Sequence, residues 1–183
     1  MNNKLLFSCW INLVSICPAQ AEAAGERVLL EVFREKERMA MLDSPRAVDV
    51  CILVPKEQEQ TKSWREQTYT EGDYKTMPSD SVNVLVGALT VDASYKWDAA
   101  KFCIPVFNAR VRFSKGGHIL LVDFAFECAV IRLTYDGQRY SGGAIDGANE
   151  RIFKLLEALF PHDQTIRRQA AILARRQGRL DKK

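Results

Sequence analysis

Residues 101–140 read KFCIPVFNARVRFSKGGHILLVDFAFECAVIRLTYDGQRY, and the alternation inside this stretch sets the fold class. With Ser114-Lys115-Gly116-Gly117 as a four-residue hairpin loop, Phe113 faces His118. Counting outward then pairs Val111 with Leu120, Ala109 with Val122, Phe107 with Phe124, Pro105 with Phe126 and Cys103 with Cys128. Directly opposed residues share a face, so this face is apolar beyond His118. Arg110, Arg112 and Asp123 fall on a second, mixed face that is expected to be partly wet. A two-residue turn at Gly116-Gly117 keeps both faces but moves Cys103 opposite Val130. A slip of one residue puts Arg110 and Arg112 in the core and is excluded. The four-residue loop is preferred because it brings the Cys103 and Cys128 Cβ atoms to the roughly 4 Å that a disulfide needs. A structural Cys103–Cys128 bridge is therefore expected.

Beyond Cys128 the apolar parity changes, from Phe124, Phe126, Cys128 and Val130 to Ile131, Leu133 and Tyr135, which predicts a bulge near Ala129 to Ile131. Asp136-Gly137 marks a further hairpin, with Gln138 to Ser141 returning. Ser141-Gly142-Gly143 lacks the glycine spacing and the Lys-Ser/Thr of a phosphate loop. Asp146 is expected to cap a helix whose Ala148, Ile152, Leu155, Leu156, Leu159 and Phe160 form one apolar face, ending at Pro161. Asp163 caps a last helix with a thin stripe of Ile166, Ala170 and Leu173.

Toward the N-terminus, Glu22 to Leu42 reads as a helix, its Arg34-Glu35-Lys36-Glu37-Arg38 run a solvated face. Ala47 to Val54 reads as an inner strand with an inert Cys51 at its middle. A short strand is expected near Glu66 to Thr70, with a turn at Glu71-Gly72-Asp73. A helix from Pro78 carries Val82, Leu85, Val86 and Leu89, and Tyr95 and Trp97 pack over the core edge. The fold class is α+β: an antiparallel sheet built on hairpins over about 101–141, packed against helices, with a C-terminal basic helix.

The 183 residues suit one domain. Lys4, the apolar run Leu5 to Cys17 and Pro18-Ala19-Gln20-Ala21 read as a signal peptide over 1–21, cleaved after Ala21 or alternatively Ala23. The run is short for a membrane span, and the bulky Ile16 disfavours acylation at Cys17. The mature chain would keep Cys51, Cys103 and Cys128, allowing one internal bridge in an oxidising compartment. Residues 163–183 hold seven basic residues against Asp163 and Asp181, a net +5; with Lys4 set aside, residues 22–162 carry −3. A single domain over 22–162 thus precedes a basic helical tail over 163–183. The tail's Arg167, Arg168, Arg175 and Arg176 are candidates to meet an acidic partner or an anionic membrane surface; nucleic acid is not expected of an exported protein.

No catalytic constellation is legible. His118 and His162 have no ligand-spaced neighbours, so neither a metal nor another cofactor is implied. No nucleophile elbow, zincin helix or Cys-x-x-Cys occurs.

The Cys103-x-Pro105 start, the Gly-rich turn, Phe126-Glu127-Cys128 and the helix ending Leu159-Phe160-Pro161 resemble a group of small secreted bacterial proteins without assigned activity, over roughly Gly87 to Pro161. Members often carry another Cys where this chain has Ala125. The resemblance implies export and the hairpin, and nothing about mechanism. The reading is an exported, periplasmic or secreted module that binds another protein, of inhibitor or immunity type, with Arg110, Arg112, Asp123 and the four tail arginines as its candidate surface. The alternatives are an envelope hydrolase with a site assembled from remote residues, for which Asp49, Asp123, Glu127 and His118 are candidates, and an envelope-attached structural protein that uses the tail.

Overall fold

The structure, a computed structural model, describes residues 26–56, 67–98, 101–140 and 142–180, without the side chains of 177–180. The expected signal peptide lies outside the described residues.

Gly116 and Gly117 have φ of 60° and 87°, the left-handed values that a two-residue type I′ turn needs at both positions. The turn therefore has two residues, and Lys115 pairs with His118. From there the ladder runs through Val111–Val122 to Ala109–Phe124. This corrects the four-residue loop. β4 (Ala109–Lys115) begins only at Ala109, and residues 101–108 leave the sheet. Cys103 and Cys128 are joined all the same, their Cα atoms 6.0 Å apart. The bridge ties the departing segment to a turn, whereas the register argument placed it between facing strands.

That turn is the second correction. β5 (His118–Ala125) stops at Ala125, and Ala125 pairs with Val130, the first residue of β6 (Val130–Tyr135). The parity change is thus a chain reversal over 126–129, with Ala129 at φ 49°, and no bulge. No Gly or Asn announces it, because partners remote in sequence hold it: Asn149 Nδ2 donates to the Phe126 carbonyl (3.0 Å) and the Ile145 N–H to that of Ala129 (2.8 Å). Asp136-Gly137 joins β6 to β7 (Gln138–Tyr140), as its sequence predicts.

β1 (Ala47–Pro55) is an inner strand, antiparallel to β4 on one side and to the short β2 (Tyr69–Glu71) and β3 (Lys75–Thr76) on the other. The sheet order is β2-β1-β4-β5-β6-β7, with β3 also on β1. The fold is α+β. One sheet face contributes Val50, Val111, Phe113, Leu120, Val122, Phe124 and Leu133, all fully buried, to the main core. Against them pack Val32 and Phe33 of the π-helical α1 (Leu29–Phe33), Leu85 and Leu89 of α3 (Ser79–Thr90), Ile152 and Leu156 of α4 (Asn149–Leu159) and Ile166 of α5 (Gln164–Leu180). Each such side chain contributes about 1.5–3 kcal/mol by leaving water.

The helix expected over Glu22 to Leu42 breaks inside its charge run. Arg34 turns left-handed at φ 64°, and α2 (Lys36–Ala40) restarts the chain. Arg38 is buried, not solvated: it donates to the Phe33 carbonyl (3.2 Å) and to Glu35 (2.6 Å), and lies 3.4 Å over the Tyr140 ring. Asp146 does not cap α4. It pairs with Lys101 Nζ at 2.6 Å, and α4 starts at Asn149 without a side-chain cap. Tyr95 packs at the core edge, stacked on Trp97 and donating to the Leu89 carbonyl (2.7 Å).

Candidate functional site

Alternation places Asp49, Cys51 and Leu53 of β1, Arg110 and Arg112 of β4, Asp123 of β5 and Arg132 of β6 on the face opposite the main core. A carboxylate buried there needs partners, and Asp123, 1% exposed, has two. Arg110 donates through Nε (2.6 Å) and Nη2 (3.0 Å), and Arg132 through Nε (3.0 Å) and Nη2 (2.5 Å). Burial alone lowers the Arg110 pKa, but its bonds to Asp123, with the charges of Asp123 and Glu71, hold it above the ordinary value. Arg112 donates to Asp49 (2.9 Å) and lies 4.1 Å over the Tyr74 ring, whose hydroxyl donates to Glu71 (2.8 Å). The partly wet face expected from sequence is thus closed at Asp123, which is no contact residue. Cys51 sits beneath Tyr74, and burial pushes its thiol pKa up despite the Tyr74 hydroxyl, which draws it down.

The hydrolase candidates are not gathered. Asp49 and Asp123 are held by arginines; His118 sits at a hairpin tip, its Nδ1 2.6 Å from Asp136. His118 is also remote from the buried Cys51 thiol: Cys51 pairs with Arg110 and His118 with Lys115, five residues further along β4, which is about 17 Å at strand spacing. Among the described residues no group of three or more His, Cys, Asp or Glu is placed to hold a metal ion.

The basic helix is seated on the body. Asp163 Oδ1 accepts from the Ile166 N–H (3.0 Å), as the sequence predicts for a cap, and Ile166 is buried. Arg167 donates to the Pro161 carbonyl (3.2 Å) and Arg176 to that of Glu127, while Arg168 and Arg175 are exposed.

Seating α5 against the 126–129 turn leaves a groove of about 490 Å³ beside it. β1 runs three residues past its last β4 pair, Ile52–Ala109, and the space vacated by residues 101–108 lies there. Val54, Pro55 and Lys56 line it from the end of β1, residues 104–108 supply a second wall through Ile104, Val106 and Asn108, and α5 contributes Thr165, Arg168 and Gln169. The second wall is tied down repeatedly: Lys101 pairs with Asp146, Cys103 is bonded to Cys128, the Asn108 N–H donates to the Phe124 carbonyl (2.8 Å) and the Leu53 N–H to that of Asn108 (2.9 Å). On this fastened segment Phe102 is 99% and Ile104 70% exposed. Lys56 and Arg168 are exposed, with no ion-pair partner among the described residues.

A second cleft, about 580 Å³, lies between residues 72–75 and 158–163; three of its polar side chains are in use, Lys75 donating to the Leu159 carbonyl (3.0 Å), His162 contacting Arg167 and Asp163 capping α5.

Of the residues singled out in the sequence, Glu127 and Arg168 line the groove; Lys56, Ile104, Asn108 and Gln169 of its lining, and the exposed Phe102 on the same segment as Ile104, were missed. One signal for the wall was present. Phe102, Ile104 and Val106 have the parity of Arg110 and Arg112, an apolar trio on the side opposite the main core. Comparisons with protein-family models, with curated proteins and with solved structures find no match to this chain.

Proposed function

We propose that this chain is an exported protein-binding module and that its contact surface is the groove together with Phe102 and Ile104. The observation that carries the reading is the display of two large apolar side chains, 99% and 70% exposed, on a segment fastened by a disulfide and an ion pair. Such a segment loses little freedom when it docks. Each side chain adds about 1.5–3 kcal/mol when a partner covers it, the behaviour of an interface anchor. The disulfide supports export, because such bonds persist in oxidising compartments. Lys56 and Arg168 at the rim favour an acidic partner.

The test has two arms. Expressed with its own leader, the protein is expected to be recovered outside the cytoplasm as a chain beginning at Glu22, with Cys103 and Cys128 protected from alkylation until reduced. A photoreactive phenylalanine analogue at position 102 is expected to give one adduct of discrete mass, absent when Ile104→Asp is added and absent from the same analogue at Leu30, an exposed position of α1. A cytoplasmic, uncleaved chain, or adducts of equal yield from both positions, contradicts the reading.

A further inference from the structure

We propose that the groove holds an extended, acidic peptide segment of the partner, lying between the end of β1 and residues 104–108. This rests on the groove being the contact surface and adds the chemistry of what enters it. Three features converge on that occupant. The walls take apolar lining from Val54, Ile104 and Val106. Two lining amides, Asn108 and Gln169, are 3% and 5% exposed and form its buried floor, and their Oδ1 and Oε1 have no hydrogen-bond partner among the described residues. A buried carbonyl oxygen left unpaired costs about 1–3 kcal/mol, so a donor arriving there is favoured. Lys56 and Arg168 are exposed at the rim and have no ion-pair partner among the described residues, while Glu127, the one carboxylate among the described residues of the lining, accepts from Gln169 Nε2 (3.2 Å).

An acyl chain satisfies the walls and, through its carboxylate, the rim, but brings no donor to the floor. A basic segment satisfies the floor and meets the wrong charge at the rim. An extended peptide presents backbone N–H groups toward one side at every second residue, and its side chains alternate between the two faces of its own strand. With apolar side chains turned toward the walls and acidic ones toward the rim, it meets all three demands.

The experiment is selection of short displayed random peptides on the full-length, disulfide-intact protein, followed by anisotropy with the enriched peptides and with labelled oleate. The expected result is enrichment of sequences that alternate apolar with Asp or Glu, and weakening of the selected peptide by about tenfold or more, or roughly 1.4 kcal/mol or more, on Arg168→Glu. Lys56→Glu is expected to act in the same direction, both variants keeping the parent circular dichroism spectrum. Enrichment of basic peptides, binding indifferent to both reversals, oleate that binds and displaces the peptide, or no enrichment overturns the proposal. If the position-102 adduct forms specifically in that last case, the contact-surface reading stands and only the peptide chemistry fails; if neither is seen, both fail.

Discussion

Asp123 accepts four hydrogen bonds from two guanidinium groups in a site with almost no access to water. Removing it strands Arg132 and leaves Arg110 with Glu71 alone, and breaking a buried pair from one side costs about 3–5 kcal/mol. Asp123→Ala is accordingly expected to lower unfolding stability by that amount in urea titration, whereas Arg112→Ala, at the more open Asp49 pair, is expected to cost about 1 kcal/mol or less. The same face, together with Tyr95 at the edge of the main core, sets the alkaline limit. Burial raises the pKa of Cys51, whose ordinary value is 9.0, and of Tyr69, Tyr74 and Tyr95, whose ordinary value is 10.0. Above those ordinary values the unfolded chain has lost protons that the folded chain retains. Stability is therefore full below about pH 9 and falls as pH rises beyond it. Cys51→Ala is expected to be less stable at neutral pH, from the cavity left, and to shift the onset of that fall toward the tyrosine range. A stability profile that rises with alkalinity contradicts this assignment.

At the scale of elements, Gly142 is placed where its backbone nearly touches β6: a Cβ there would lie 1.8 Å from the Ile131 carbonyl oxygen. Gly142→Ala must push the chain away from that strand, and an expected loss of about 2–4 kcal/mol is checked by thermal unfolding. Gly117→Ala, at φ 87° with open space around it, is expected to cost only about 1–2 kcal/mol, since the strain is local. The paired hairpins, the inner strand, α3 and the apolar faces were legible because alternation, glycine pairs and helical stripes are local signals. The misread elements had non-local causes. A ladder that sets Cys103 against Cys128 needs a longer turn than Gly116-Gly117 makes; a disulfide reports proximity and not ladder pairing. The 126–129 reversal was invisible because Asn149 and the Ile145 N–H hold it from outside. The break at Arg34 is fixed by Arg38, which follows it and reaches back to the Phe33 carbonyl while its guanidinium lies over Tyr140. The groove was the least legible feature, since its lining comes from five stretches that meet only when α5 is seated.

Across the whole molecule the disulfide acts at the groove more than at the sheet. It closes a loop of sequence separation 25, which stabilises the fold by about 3–4 kcal/mol on the chain-entropy model. Its distinctive effect concerns the wall that carries Ile104. Cys103→Ser with Cys128→Ser is expected to leave the β-sheet circular dichroism signal in place and to weaken the selected peptide far more than Gly117→Ala does, measured by anisotropy at a temperature where both variants are folded. Equal weakening by the two would show that only global stability matters. The most direct test of the groove as the contact surface is the amide and side-chain NMR spectrum of the isotope-labelled protein titrated with the selected acidic peptide. The account predicts shifts confined to Val54, Lys56, Ile104, Val106, Asn108, Arg168 and Gln169, with new protection of the floor amides. Shifts centred on the His118 hairpin tip or on the exposed face of α4, with these residues unmoved, would contradict it.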